Sequence, residues 1–201
     1  MPYYENCSAK SGSVHGYANH EEAISSVLIK HKFIKQEREV TKDGKKKKLD
    51  VSIIKKGHFI EQPYGTHKNP DFILRLESGY LLNIEAKSSK GVFPMYNSGG
   101  VHPDYLYIFC SKKYNETTIY KGSLILPLEQ KRLIEEYIED ARRRDEEFNR
   151  RLSELDTTHR GFQFYTRPMY IQKGIGDYTD YFRHEKRREV EEGTIEWASH
   201  L

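Results

Sequence analysis

The feature that most constrains this 201-residue chain is an apolar run, Tyr80-Leu81-Leu82-Asn83-Ile84, that continues without interruption into Glu85-Ala86-Lys87. A run of that composition belongs to a central strand, and central strands seldom carry idle charges. Glu85 and Lys87 stand two residues apart, so their side chains emerge on the same face. A second strand, Phe72 to Leu76, precedes this run across Glu77-Ser78-Gly79, a short hairpin signal with glycine where a positive φ is needed. Pro70 biases the chain toward extended structure at the entry to that strand. If the loop has three residues, Leu76 faces Tyr80, and counting outward puts Asp71 directly opposite Glu85. A two-residue Ser-Gly turn would make the pair diagonal instead.

Directly opposed strand residues hold their Cβ atoms about 4.5–5.5 Å apart. Two carboxylates at that range repel, which weakens the hairpin or raises one pKa, and a divalent cation removes the conflict. Hard oxygen donors of this kind suit Mg²⁺, with Mn²⁺ as a substitute.

The rest of the chain frames this hairpin. Residues 1–18 mix Ser, Gly, Asn and Tyr without periodicity and read as an N-terminal arm. Ile24, Val27, Leu28 and His31 recur at helical spacing and predict a helix over 20–32. Residues 33–40 and 49–55 alternate like strands around Thr41-Lys42-Asp43-Gly44, while the Gly- and Pro-containing stretch 57–70 reads as a loop at an edge or above a site. Buried strands are predicted over 104–110 and 117–126. From 127 to 155, Leu128, Leu133, Tyr137, Ile138, Ala141, Phe148, Leu152 and Leu155 share one face of a long amphipathic helix, assigned to core packing in preference to a partner helix. Residues 161–172 read as a strand interrupted by Pro168, and 178–198 as helical in part. The order of elements predicts a single α/β or α+β domain over 1–201 with a mixed central sheet flanked by helices. Residues 20–125 form its core and 127–201 its helical and strand C-terminal part.

No apolar run approaches the ~18–20 residues of a membrane span, and the N-terminus lacks the apolar stretch of a secretory signal, so a cytoplasmic location is expected. Cys7 and Cys110 make no paired-cysteine motif and point to neither a disulfide framework nor a zinc site. A net charge of +3 is compatible with a polyanionic partner. Basic residues concentrate in 30–121, and their run from Lys45 to Lys48 reads first as a solvated hairpin next to the Asp43-Gly44 turn.

Pro70-Asp71 followed by Glu85-Ala86-Lys87 resembles the PD-(D/E)xK nuclease superfamily. Gln62-Pro63-Tyr64-Gly65 ahead of Pro70-Asp71-Phe72, Ser88-Ser89 after Lys87, and Pro94-Met95-Tyr96-Asn97 before an aromatic strand resemble type II restriction endonucleases in particular. The likeness covers roughly residues 20–125. It implies a restriction-endonuclease-like core and Mg²⁺-dependent, sequence-specific hydrolysis of double-stranded DNA, leaving 5′-phosphate and 3′-hydroxyl ends. Asp71, Glu85 and the Ala86 carbonyl would hold the metal, together with an acid on the first helix, and Lys87 would orient or deprotonate the attacking water. Glu21 is preferred to Glu22 as that helix acid because it shares the face of Ile24, Val27 and Leu28.

Gln62, Tyr64, His67, Lys68, Ser88, Ser89, Lys90, Tyr96 and Asn97 lie on loops bracketing the core and are the candidates for DNA contacts, with Arg160, Gln163 and Arg167 behind them. The resemblance also implies a homodimer reading a short palindromic site and a companion DNA methyltransferase. A repair, recombination or junction-resolving nuclease on the same core, or a non-catalytic DNA-binding protein, are the competing readings.

Overall fold

The structure, a computed structural model, describes residues 19–39, 48–65, 68–96, 100–173 and 178–201. It is a mixed α+β arrangement in which six strands form one sheet flanked by helices. Helix α1 (Asn19–Lys30) precedes strands β1 (Ile34–Lys35), β2 (His58–Glu61), β3 (Phe72–Arg75), β4 (Leu81–Ser89), β5 (Tyr105–Ser111) and β6 (Glu116–Lys121). The short α2 (Gly122–Ile125), the long α3 (Leu128–Glu154) and α4 (Arg187–Ser199) follow. The strands lie in chain order across the sheet; β1 with β2 and β4 with β5 are parallel, and the other neighbours antiparallel.

The β3–β4 hairpin has Phe72 opposite Ile84 and Arg75 opposite Leu81. Leu76 N–H donates to Tyr80 O and Gly79 N–H to Leu76 O, closing a three-residue loop in which Gly79 has φ +93°. A side chain there would be strained, and glycine relieves it.

Strand alternation divides the core. Phe59, Phe72, Leu74, Leu82 and Ile84 point to the face covered by Ile24 and Leu28 of α1 and by Trp197 of α4. On the opposite face Tyr107, Phe109 and Tyr120 pack with Tyr96, Tyr181 and Phe182. Helix α4 is fastened to the edge of β6: Lys121 N–H donates to Thr194 Oγ1, and that hydroxyl donates to Val190 O.

Several expectations fail for local reasons. No strand forms over 49–55. Asp50 accepts from Ser52 N–H and caps a single 3-10 turn, Val51–Ile53. The Gln36 side chain meanwhile takes Ile53 O and Lys55 N–H, and side-chain bonds of this kind compete with a ladder. The strand expected over 33–40 shrinks to Ile34–Lys35 and pairs with β2. The stretch read as a loop over 57–70 contains β2, held between β1 and β3. The strand expected over 117–126 stops at Lys121. The 41–44 turn and Lys45 to Lys47 lie outside the described residues.

Helix α3 departs furthest from expectation. It spans 27 residues, as its periodicity predicts, yet none is buried. Leu133, Tyr137 and Phe148 are 69%, 70% and 48% exposed, so these apolar side chains do not pack into the core. The segment 161–172, expected as a strand, forms only an isolated antiparallel bridge, Tyr170 with Tyr96, and lies beside α3 at 164–166. Asn149 bonds both the N–H and C=O of Phe164, and Asp145 both the N–H and the hydroxyl of Thr166. Side chains of the helix thus satisfy backbone groups that a neighbouring strand would otherwise pair. Among the described residues no helix is long and apolar enough to cross a membrane.

Gly122, at the junction of β6 and α2, passes so close to His102 that a Cβ would lie 1.9 Å from the His102 carbonyl oxygen. Since the obstacle is backbone, Gly122→Ala is expected to destabilise the protein by about 1–3 kcal/mol or more in urea denaturation. Wild-type stability in that variant would contradict the close approach.

Candidate active site

The hairpin register, continued one step past Phe72 and Ile84, puts Asp71 opposite Glu85. Hydrogen-bonded pairs alternate along an antiparallel ladder, and the Leu76–Tyr80 bond marks 76/80, 74/82 and 72/84 as the bonded ones. Ala86, two residues beyond Ile84, therefore turns its N–H and its C=O to the β3 side, where β3 has ended. Asp71 Oδ2 takes the Ala86 N–H at 2.8 Å, which leaves the Ala86 carbonyl directed toward the side on which Asp71 lies.

Glu85 is 3% exposed. Its Oε1 receives Lys87 Nζ at 2.6 Å, from two residues along the same face of β4. Its Oε2 is buried without a hydrogen-bond partner. An orphaned carboxylate oxygen in this setting is costly, because the group has lost water and gained nothing in return.

Asp71 responds to the same crowding. Its carboxyl is pushed up to about 7, first by burial and then by the Glu85 charge, with a smaller push from Glu21; the Ala86 N–H and Lys87 pull the other way without prevailing. The two acids thus share a crowded site with one lysine, bonded to Glu85.

Glu21 faces inward on α1 and Glu22 is exposed, so the preferred helix acid is the one on the site side. The inward face consists of Glu21, Ile24, Ser25 and Leu28; Val27, expected on it, is exposed. Gln62, just past β2 with φ +44°, donates its Nε2 to Glu21 Oε2 at 3.1 Å and its backbone N–H to Asp71 O at 2.7 Å. Gln62 thereby ties the helix acid to the strand that carries Asp71, a linkage its reading as a DNA contact did not anticipate. Among the described residues no three Asp, Glu, His or Cys side chains gather closely enough to hold an ion on their own. The donors on offer are the Asp71–Glu85 pair and the Ala86 carbonyl, with Glu21 standing behind Gln62.

The other DNA-contact candidates scatter. Tyr64, Lys68 and Lys90 are exposed. Ser88 and Ser89 are not loop residues but the end of β4, opposite Cys110 and Ser111, and Ser89 Oγ accepts from Gly91 N–H. Tyr96 is 1% exposed, and its hydroxyl bonds those of Tyr120 at 2.9 Å and Tyr181 at 3.1 Å, so it is a core residue and no DNA contact. His67 and Asn97 lie outside the described residues. Arg160, Gln163 and Arg167 are exposed beside α3.

Sequence reasoning missed the tyrosines of β5. Tyr107 stands opposite Glu85 and Tyr105 opposite Asn83 in the parallel β4–β5 pair. Tyr107 Oη accepts from His102 N–H at 2.8 Å, and the His102 ring stacks on Tyr105 with centroids 4.4 Å apart. Burial raises both phenols, so they stay neutral beside Glu85. Burial, helped by Lys131 and Lys87, lowers the His102 imidazole. The alternation of Tyr105 and Tyr107 is visible in the sequence, but the strand they pair with is not.

The raised Asp71 carboxyl has a definite consequence for stability. The unfolded chain ionises there near pH 3.8 and the folded one near 7, so the metal-free protein loses stability as pH rises through that window. Asp71→Asn is expected to remove the loss. At pH 8 without divalent metal the variant should be more stable than wild type by roughly 2–4 kcal/mol, with the gap closing near pH 4; a less stable variant at pH 8 would contradict the repulsion. No protein-family model, no curated protein and no solved structure matches this chain.

Proposed function

We propose that this protein is a Mg²⁺-dependent endonuclease of the restriction type, hydrolysing phosphodiesters of double-stranded DNA with Asp71, Glu85 and Lys87. One observation carries the reading: two opposed carboxylates, one with its acidity weakened by burial and by the other's charge, the other with an orphaned buried oxygen, on a face that also holds a lysine. Such a pair stands to gain from a hard cation. A mixed sheet with its acids on an antiparallel hairpin, a parallel strand beyond, and Glu21 of α1 bonded to Gln62 support the reading of a restriction-endonuclease-like core.

Asp71, Glu85 and the Ala86 carbonyl would hold the ion, and two carboxylates leave room for the waters and phosphate oxygens that Mg²⁺ prefers. When bound, Mg²⁺ supplies positive charge against the phosphate as it becomes five-coordinate and makes water a stronger acid. Lys87 Nζ, held by Glu85 Oε1, orients the attacking water and donates to a non-bridging phosphate oxygen. Water adds to phosphorus and the bond to the 3′-oxygen breaks, giving 5′-phosphate and 3′-hydroxyl ends. Gln62 Nε2 fixes Glu21 beside Asp71, and the buried phenol of Tyr107 with the half-buried one of Tyr105 closes off that face of Glu85 without adding charge.

Plasmid DNA incubated with the protein and Mg²⁺ should yield discrete fragments. Lys87→Ala and Glu85→Gln should each lose cleavage by about 10²–10³-fold or more while still retarding DNA in Ca²⁺. Smearing, nicking without discrete bands, or cutting confined to branched DNA would favour a repair or junction-resolving enzyme, and undiminished cutting by either variant would sink the assignment.

Gln62 allows a sharper discrimination. As the support of Glu21, Gln62→Ala should lower the rate about tenfold or more at unchanged site preference. Relaxed preference at one base pair with an unchanged rate would show that it reads DNA instead.

A further inference from the structure

Glu85, Tyr107 and Tyr120 stand in one row across β4, β5 and β6. Beyond the last of them, between β6 and α4, lies a cavity of about 230 Å³ whose lining, among the described residues, includes none of the carboxylate site. Tyr120, Tyr181 and Thr118, all buried, form its inner wall with Ile125 and Val190, whereas His184 and Lys186 at its mouth are exposed. The phosphodiester chemistry proposed above makes no use of this cavity.

The polar groups around it sort into those already satisfied and those still open. Arg187 is tied to Glu191 at 3.0 Å, to Glu116 at 2.9 Å and to the Phe182 carbonyl, and Thr118 Oγ1 donates to Glu191 at 2.7 Å. Those two acids are thus matched. Lys186, by contrast, makes no ion pair among the described residues. Its backbone N–H donates to His184 Nδ1 at 3.2 Å, which makes Nε2 the protonated nitrogen of the neutral ring and a donor. An ammonium and an imidazole N–H at the mouth call for an anion. Farther in, Gln172 stands on the wall with its Oε1 buried and without a donor, a state that costs stability. Oxygens of Thr118 and Thr179 add further acceptors. Such a wall suits a heterocycle offering N–H better than a hydrocarbon ring. Size agrees: a cavity of about 150 Å³ takes benzene, so one of about 230 Å³ takes roughly nine ring atoms, as in a purine.

We propose that this cavity binds a free purine nucleoside 5′-monophosphate whose base carries an amino group. The base lies against Tyr181, Ile125 and Val190, its amine donates to Gln172 Oε1, and the phosphate stays at the mouth with Lys186 and His184. A base still stacked in a duplex cannot enter a space this small, so the ligand is a mononucleotide and the site is separate from any path of DNA over the carboxylates.

Calorimetric titration of AMP into the full chain, without DNA or divalent metal, tests this separately from any nuclease activity. AMP is expected to bind saturably at one site per chain and about 10-fold or more tighter than adenosine, which lacks the charge. Lys186→Glu, at an exposed position, should weaken AMP by about 10-fold or more with unchanged circular dichroism. Gln172→Leu should erase the preference of the wild type for AMP over purine riboside 5′-monophosphate, which has no amine to donate. Glu85→Gln should bind AMP as the wild type does. Absence of saturable binding, AMP held no better than adenosine or inorganic phosphate, undiminished binding by Lys186→Glu, a preference for the amine that survives in Gln172→Leu, or loss of binding in Glu85→Gln would each overturn the proposal.

Discussion

The repulsion between Asp71 and Glu85 is the constraint around which this structure is arranged. Neither acid can move away. Asp71 is held by the Ala86 N–H and by Gln62 on its backbone carbonyl, and Glu85 sits mid-strand in β4, paired with β5, with its side chain almost wholly enclosed. The three-residue loop closed at Gly79 sets the register that opposes them. A register slip of one residue would turn Glu85 to the apolar face packed by Phe72 and Leu74. The apolar core and the carboxylate pair thus rest on the same few hydrogen bonds at the hairpin loop.

The two sheet faces divide the labour. One is filled by α1 and the end of α4, which pack on β3 and β4. The other is lined with aromatic rings whose neutral hydroxyls bond one another, as Tyr96, Tyr120 and Tyr181 do. Burial there keeps the dielectric low behind Glu85, so any charge in front of it is felt strongly. Where β3 ends, the backbone of Ala86 is freed from the ladder, and the site occupies that gap. Helix α3 takes no part in either face and projects its apolar surface outward.

Much of this was legible in the residues. The Asp71–Glu85 register followed from the position of Gly79, and α1 and α3 from their periodicity within one or two residues. Strand β2 was hidden because its four residues, bracketed by Gly57 and Pro63, have Phe59 and Ile60 buried on opposite faces, so no polar alternation marks it. The 49–55 strand was a false signal, since alternation carries no account of Asp50 and Gln36 capturing the backbone. Periodicity revealed that α3 has an apolar face but could not say whether the core lies against it. At the site, residue types located the acids and the lysine. The burial of Tyr96 and the bond from Gln62 to Glu21 depend on elements distant in sequence, Tyr120, Tyr181 and α1, and no local pattern announces them.

The central claim is that the carboxylate pair is a cation site, and calorimetric titration of Mg²⁺ into the metal-free protein at pH 7 bears on it most directly. The expected result is saturable binding whose heat changes with the ionisation enthalpy of the buffer, because Asp71 surrenders its proton as the ion enters, and whose affinity collapses in Glu85→Gln. Absence of saturable binding, or equal binding by Glu85→Gln, would contradict it.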